Sequence, residues 1–434
     1  MIDDTIVAIT TPRGISGVAK VRVSGDDSKD ILQKLTDYNL DTIEDKSFSY
    51  CKLHYYDSDK LLDDVVVLYF QNPNSYTGEN VYEIDCHGSV VMPELIVAEL
   101  IKTGARQAEA GEFTSRAFIN GKLSLIAAEK IGSLLHSTAS RQAEFIQNNN
   151  IISQISSIKQ NIVQVASHIL AVLDFPDDGV DDIDIKEINS NIIEEKNKID
   201  EIIKNADNGI ISANGLNVVI LGEPNSGKSS LLNLFLGEDK AIVTDIEGTT
   251  RDILQYSINL NGFAVNFYDT AGLRETDDKV ENIGIEKAFE VADKADLILY
   301  LFDNTNNDFD VKYNTKASQK IIKIANKQDL YDEIKLNDSM LLSTKTGYGF
   351  DKLKEKVYNI CSSALCNSDS VWNLRQKDIL IRIANNLDLA LKEDMHDMKL
   401  LSLENALAVF GELDGTQVSD EIIENIFNKF CVGK

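Results

Sequence analysis

The segment Gly222-Glu223-Pro224-Asn225-Ser226-Gly227-Lys228-Ser229 constrains this chain more than any other. It fits G-x-x-x-x-G-K-[ST], and it sits between a strand-like run, Leu216–Leu221, and an apolar helical run, Ser229–Leu236. Strand, glycine-rich turn and helix in that order are what a phosphate-cradling loop requires. Gly222 and Gly227 let backbone N–H groups curl around phosphate oxygens, and the helix N-terminus adds partial positive charge. Lys228 supplies a point charge for the β- and γ-phosphates, and Ser229 is the expected Mg²⁺ ligand. Asn225, Ser226, Gly227 and Ser230 complete the loop's expected nucleotide contacts.

Four further motifs follow, each at or near the end of a strand-like run. Gly248-Thr249-Thr250-Arg251-Asp252 places Thr250 to reach Mg²⁺ and the γ-phosphate. Asp269-Thr270-Ala271-Gly272 puts Asp269 near Mg²⁺ and the Gly272 N–H near the γ-phosphate. Asn326-Lys327-Gln328-Asp329 carries a carboxylate that can accept from guanine N1–H and N2–H₂. Adenine has neither donor, so the Asp329 carboxylate would be left unpaired, and that penalty selects GTP. Ser343-Thr344-Lys345 follows the last strand and can contact the base. Where many GTPases carry a water-orienting Gln beside Asp-x-x-Gly, this chain has Leu273. The catalytic group must come from elsewhere, and Glu281, in the polar loop that follows, can position water directly or through a second water.

The hydrophobic period divides the chain. Up to about residue 118, short β-rich runs (Thr5–Thr10, Val18–Ser24, Asp64–Phe70, Val81–Cys86) alternate with helical stretches (Asp27–Leu35, Pro93–Lys102). After Gly132 no Gly or Pro interrupts the chain until Pro176. Further on, Ile185, Ile188, Ile192, Ile199 and Ile202 form a heptad-like stripe. Two long helices are expected there, joined by the acidic segment at 175–182. An α/β unit follows, with a hairpin at Asn261-Gly262 and an amphipathic closing helix, Asp351–Leu365. The last ~70 residues again read as helices. The expected fold is therefore multidomain α/β plus all-α. An N-terminal α+β domain (1–118) precedes a split helical bundle (119–212 and 367–434), into which a P-loop Ras-like GTPase domain (213–366) is inserted.

Lys and Arg total 43 against 70 Asp and Glu, a net charge of −27, which argues against a protein that coats nucleic acid or an anionic membrane. The five cysteines are dispersed, with no Cys-x-x-Cys pair, as suits a reducing cytosol. The N-terminus lacks a signal-peptide pattern, and no apolar run is long enough to span a bilayer. A cytoplasmic protein with no membrane association is expected.

Motifs outside the GTPase unit resemble the MnmE (TrmE) family of tRNA modification GTPases. They are Thr11–Gly17, Val21–Gly25, Tyr76-Thr77-Gly78-Glu79-Asn80, His87-Gly88, Gly111–Lys122 and the terminal Cys431-Val432-Gly433-Lys434. The resemblance covers essentially the whole chain, and other GTPases share only its middle. It implies a homodimer that works with the flavoprotein MnmG (GidA) in a heterotetramer, with FAD on that partner. Together they add an aminomethyl or carboxymethylaminomethyl group to C5 of the wobble uridine, position 34, of certain tRNAs. The one-carbon unit comes from a tetrahydrofolate, 5-formyl- or 5,10-methylene-, held by the N-terminal domain, which also dimerises. By motif, folate contacts fall on Arg22, Glu79, Lys122 and Lys434: cations suit the glutamate tail and a carboxylate suits pterin N–H donors. The resemblance also implies K⁺, held by Asn225, Thr244, Ile246 and Thr249, where other GTPases use an arginine finger. Nucleotide contacts then comprise Asn225, Ser226, Gly227, Lys228, Ser229, Ser230, Thr244, Thr249, Thr250, Asp269, Gly272, Asn326, Lys327, Asp329 and Ser343. Glu281 takes the catalytic position, and Cys431 is either a reactive thiol of the tail or a thiol that packs near folate.

Two other readings stand beside this one. A regulatory GTPase switch acting on ribosomal RNA or a protein partner shares the nucleotide motifs but needs neither the N-terminal motifs nor Cys431–Lys434. A free-standing folate aminomethyl transferase does not need a GTPase unit. The net charge does not exclude a tRNA substrate. With no Lys/Arg-rich run, it points to contact through a local cavity around Arg22, Lys122 and Lys434, or through the partner.

Overall fold

The computed structural model describes residues 4–174, 185–222, 225–238, 242–243, 254–269, 292–293, 295–303, 319–330, 339–365 and 369–434. Contacts divide the chain into two compact units, Met1–Gly132 with Phe410–Lys434, and Ser133–Val409. The boundaries expected at 118, 212 and 366 cut the chain differently. No described helix is long and apolar enough to cross a membrane.

The first unit is built on a six-stranded sheet: β1 (Ile6–Ile9), β2 (Val18–Ser24), β3 (Ser47–His54), β4 (Leu61–Phe70), β5 (Val81–His87) and β6 (Arg106–Gln107). The order is β3-β4-β5-β2-β1-β6, antiparallel except for the β1/β6 pair. Side chains alternate across the sheet. Ala19, Val21 and Val23 of β2 and Tyr82, Ile84 and Cys86 of β5 share a core with Ile31 and Leu32 of α1 (Ser28–Gln33) and Ile96 and Leu100 of α2 (Met92–Thr103). The residues between them, Lys20, Arg22, Glu83 and Asp85, therefore point to the other face. Gly104, at φ +126°, ends α2 where the sequence expected it. Strand β3 was not expected. Its polar residues mask an alternation in which Phe48, Tyr50 and Lys52 are exposed while Cys51 and Leu53 are buried.

Two more helices, α3 (Glu112–Ile119) and α4 (Leu125–Leu135), belong with this sheet. Phe427 and Phe430, from the C-terminal segment, pack with Leu125, Ala128 and Phe118. Val432 bridges to Ala110. Gly433 has φ +100°, and a Cβ on it would lie 2.3 Å from the Ile9 carbonyl oxygen, so only glycine passes there. The chain terminus is thereby laid against β1.

In the second unit the two long helices expected on either side of 175–182 are present, but the helical run ahead of the first is broken. The chain forms α5 (Ser140–Asn148) and α6 (Ile151–Asp174) after α4, then α7 (Ile185–Asn214). The breaks are made by side chains that cap backbone N–H groups. Gln142 accepts from the Thr138 N–H at 2.9 Å and Asn149 from the Ile151 N–H at 3.0 Å. The isoleucine stripe of α7 is buried at Ile188, Ile192, Ile199 and Ile202. After α7 comes β7 (Leu216–Gly222), α8 (Lys228–Glu238), β8 (Ile242–Val243), β9 (Leu254–Leu260), β10 (Phe263–Asp269), β11 (Leu297–Asp303), β12 (Lys320–Asn326), β13 (Met340–Leu341) and α9 (Phe350–Ser363). The sheet order is β13-β12-β11-β7-β10-β9-β8. The core five are parallel, and the β9–β10 hairpin turns at Asn261 (φ +50°) and Gly262 (φ +91°), as its sequence predicts.

Helix α10 (Leu374–Lys392), which follows the sheet in sequence, packs on α7, which precedes it. Asn214 donates to the Trp372 carbonyl at 2.7 Å, and Lys377 pairs with Asp207 at 2.6 Å. Asn149 donates to the Ser370 carbonyl at 2.7 Å, so one buried side chain both caps α6 and ties it to the returning chain. Asn149→Ala is expected to destabilise the protein by about 1–3 kcal/mol. Asn149→Asp keeps the cap but sets a buried carboxylate against the Ser370 carbonyl, and it should destabilise at least as much. Urea unfolding measures both, and an unchanged midpoint for Asn149→Ala would contradict this account.

Candidate functional site

Among the described residues, the Gly222–Ser229 loop, Asn326–Asp329 and Ser343–Lys345 lie at the C-terminal ends of the parallel strands. β7 lies between β10 and β11, the point at which the strand order reverses and at which open α/β sheets bind ligands. Leu301 pairs with Gly222, and a Cβ on Gly222 would lie 1.9 Å from the Leu301 carbonyl oxygen. With no room for a side chain and φ +146°, the position demands glycine, and the chain turns sharply into the loop. Asn225 is exposed with φ +60°, a conformation Asn tolerates better than most residues. Gly227 has φ +101°, and a Cβ there would lie 2.2 Å from Asn326 Nδ2. Lys228 Nζ donates to the Gly222 carbonyl at 2.9 Å, folded back over its own loop at the start of α8. Ser226 is buried, with its hydroxyl lacking a hydrogen-bond partner among the described residues, while Ser229 and Ser230 are exposed.

The base-recognition motif is tied to this loop. Asn326, buried at the end of β12, donates to the Ser226 carbonyl at 2.7 Å and to Thr344 Oγ1 at 3.2 Å. Its own carbonyl accepts from the Thr344 N–H at 3.0 Å. The Thr344 hydroxyl thus takes part in the arrangement. Ser343 Oγ donates to Asp329 Oδ1 at 2.6 Å, and this bond holds the exposed Asp329 carboxyl below its ordinary range. Lys327, at φ +62°, reaches back to Asp303 at 2.8 Å. Asp269 ends β10. Its side chain, together with Thr244, Ile246, Thr249, Thr250, Gly272, Leu273 and Glu281, lies outside the described residues.

The expected folate residues lie in the first unit. Arg22 and Glu83 are register partners on β2 and β5. Arg22 Nε and Nη2 donate to Glu83 Oε1 at 3.0 and 2.8 Å, and Lys20 donates to Oε2. Burial raises the Glu83 carboxyl, but these cations outweigh it and hold it below its usual value. The Arg22 guanidinium lies over the rings of Tyr76 (5.2 Å) and Phe113 (5.4 Å), and its buried Nη1 has no hydrogen-bond partner among the described residues. Lys434 lies close enough to feel Arg22 and Glu83. Burial lowers its pKa, Arg22 lowers it further, and Glu83 opposes.

Glu79 sits in the loop between β4 and β5. Ser24 Oγ donates to its Oε2 at 2.6 Å. Helix α3 and the turn after it hold the same loop: Tyr76 bonds Thr114, Asn120 donates to the Thr77 carbonyl, and Lys122 Nζ donates to the Pro73 carbonyl at 2.7 Å. Arg22 and Lys434 are therefore near each other, while Lys122 is tied to the loop that carries Glu79. Cys431 is exposed. Sequence reasoning assigned no role to Ser24, Glu83 or Arg116. Arg116 lies inside a quoted motif, and its i,i+4 spacing from Glu112 was the available signal.

Guanine selection should follow from Asp329. GTP is expected to bind far more tightly than ATP, and Asp329→Asn should weaken GTP by about 100-fold while favouring xanthosine triphosphate, whose 2-oxo group accepts from an amide. Equal affinities for ATP and GTP in a fluorescent-nucleotide titration would contradict this.

Comparison with known proteins bears on the whole chain. Residues 5–122 match the family described as GTP-binding protein TrmE N-terminus, and residues 125–431 match the MnmE helical domain. A tRNA modification GTPase MnmE from Fervidobacterium nodosum is 36% identical over 452 aligned positions, covering 99% of this chain and 98% of that protein. One from Thermoanaerobacter sp. strain X514 is 35% identical, with both chains covered in full. Among solved structures, the G domain of the T. maritima FeoB iron transporter aligns with 33% of this chain and 97% of its own at 22% identity. Its TM-score of 0.24 is too slight to bear on the fold. The chain belongs to the MnmE (TrmE) family of tRNA modification GTPases, and it is a GTP hydrolase.

Proposed function

We propose that this chain is a K⁺-dependent GTPase that works as a homodimer with the flavoprotein MnmG. Together they modify C5 of the wobble uridine of certain tRNAs in the cytoplasm, using a tetrahydrofolate one-carbon unit. The observation that carries the reading is the coexistence, in one chain, of the Ser226–Asn326–Asp329 cradle with the Arg22–Lys434 face and its neighbouring Glu79. The domain limits at 118, 212 and 366 belong to this reading.

The residues present fit a folate. Arg22 Nη1 is a buried guanidinium donor without a partner among the described residues, and the Lys434 ammonium is destabilised by burial and by Arg22, so both gain from an incoming carboxylate. Glu79 offers an acceptor to pterin N–H donors, and Lys122, on the same loop, offers a further cation. The bound folate supplies the one-carbon unit. The chain's own residues bind and orient it, and Cys431, exposed three residues before Lys434, is the thiol closest in sequence to that face.

In the nucleotide site Lys228, Ser229 and Thr250 would serve the phosphates and Mg²⁺. Asn225, Thr244, Ile246 and Thr249 would hold K⁺, and Glu281 would orient water in place of the absent Gln. Asn225 supports this role because it is exposed in the loop. A monovalent cation there stabilises charge that develops between the phosphates.

Hydrolysis should be at least ~10-fold faster in K⁺ than in Na⁺. Asn225→Gly keeps the positive φ without strain and should erase that difference, and steady-state phosphate release measures it. Indifference of the native protein to the cation would refute the K⁺ site. Mass spectrometry of tRNA nucleosides from cells lacking the protein should show an unmodified wobble uridine. An intact modification there would favour a regulatory switch instead.

A further inference from the structure

Arg116 is one of the largest fully buried side chains, with 1% of its surface exposed. Nη1 donates to the Asp4 carbonyl at 2.7 Å and to both Glu79 carboxylate oxygens, at 3.2 and 3.4 Å. Nη2 donates to Asp4 Oδ1 at 2.7 Å and Glu112 Oε1 at 3.0 Å. A second arginine, Arg106, takes the same two partners at the rim: Asp4 at 2.6 Å, and Glu112 at 2.6 and 3.1 Å.

Two guanidinium groups therefore face three carboxylates, and the compensation is uneven. Asp4 and Glu112 each meet both arginines at short distance, whereas Glu79 meets Arg116 alone, through its two longest contacts. Glu79 thus keeps the least neutralised charge of the three. A carboxylate offers about four lone-pair directions. Arg116 and the Ser24 hydroxyl occupy three of them, and Oε1 keeps capacity for another donor. The buried guanidinium is held by Asp4 and Glu112 as well as Glu79, so its position does not depend on Glu79 alone.

We propose that Arg116 is a positioning residue. It orients the Glu79 carboxylate, so that Glu79 accepts from the N–H donors of a bound pterin. The ligand class rests on the folate reading above. Asp4, Glu112 and Arg106 act one step further out by fixing Arg116.

The test uses the full-length protein and isothermal titration with 5-formyltetrahydrofolate, on the native protein, Arg116→Lys, Glu79→Gln and the double variant. Arg116→Lys should weaken binding by about 10-fold, and Glu79→Gln by at least as much. The double variant should bind within about twofold of Glu79→Gln alone, because Arg116 acts through that carboxylate. Thermal unfolding reports whether each variant folds. If Arg116→Lys does not, Glu112→Gln replaces it, with about threefold weakening expected that also vanishes in the Glu79→Gln background. Native affinity in Arg116→Lys, or an equal loss with and without the Glu79 carboxylate, would overturn the positioning role. Absence of binding to the native protein would overturn the folate reading, and the positioning role with it.

Discussion

The Leu301 carbonyl leaves no space for a side chain at Gly222, and the nucleotide site depends on that contact. Parallel pairing of β11 with β7 brings two backbones together at the strand end, so the chain can leave only through a positive-φ turn. The phosphate loop that follows is then fixed against β12 as well. Gly227 lies beneath Asn326, and Asn326 binds the Ser226 carbonyl. Through Thr344 and Ser343 the connection continues to Asp329. The Gly222–Ser229 loop and the Asn326–Asp329 motif are thus parts of one hydrogen-bonded framework, held by buried groups that have lost their water and would be costly to leave unpaired.

The N-terminal unit solves a different problem. Helices α1 and α2 cover one face of the sheet, and alternate residues of β2 and β5 lie on the other, where Phe113 of α3 also packs. There they pair as Lys20 and Arg22 with Glu83 and Asp85. Charges of opposite sign on neighbouring strands stabilise such a face, yet the pairing is incomplete: Arg22 Nη1 and the desolvated Lys434 retain capacity for an anion. A net charge describes the average field of a protein and leaves the composition of a local site open.

Most elements were legible because their period and punctuation are local. The Asn261-Gly262 hairpin, the Gly104 stop after α2 and the isoleucine stripe of α7 are examples. The misreadings share a cause. Asn149 ends a helical run because it can also reach the Ser370 carbonyl, more than 200 residues further along the chain. Strand β3 exists because Val65 and Val67 of β4 offer its Cys51 and Leu53 a core to join. Arg116 reads as an ordinary helical charge until Asp4, Glu79 and Glu112 surround it.

The sequence by itself determined the nucleotide chemistry and the family, since loop glycines, the Asn326–Asp329 motif and the terminal Cys431–Lys434 act through residue type and short-range order. Tertiary structure alone decided which charges remain unsatisfied. The spare donor of Arg22, the lowered ammonium of Lys434 and the partly compensated Glu79 arise from burial and from neighbours far off in sequence. Desolvation and Coulomb interaction depend on distance in space, which no local pattern encodes.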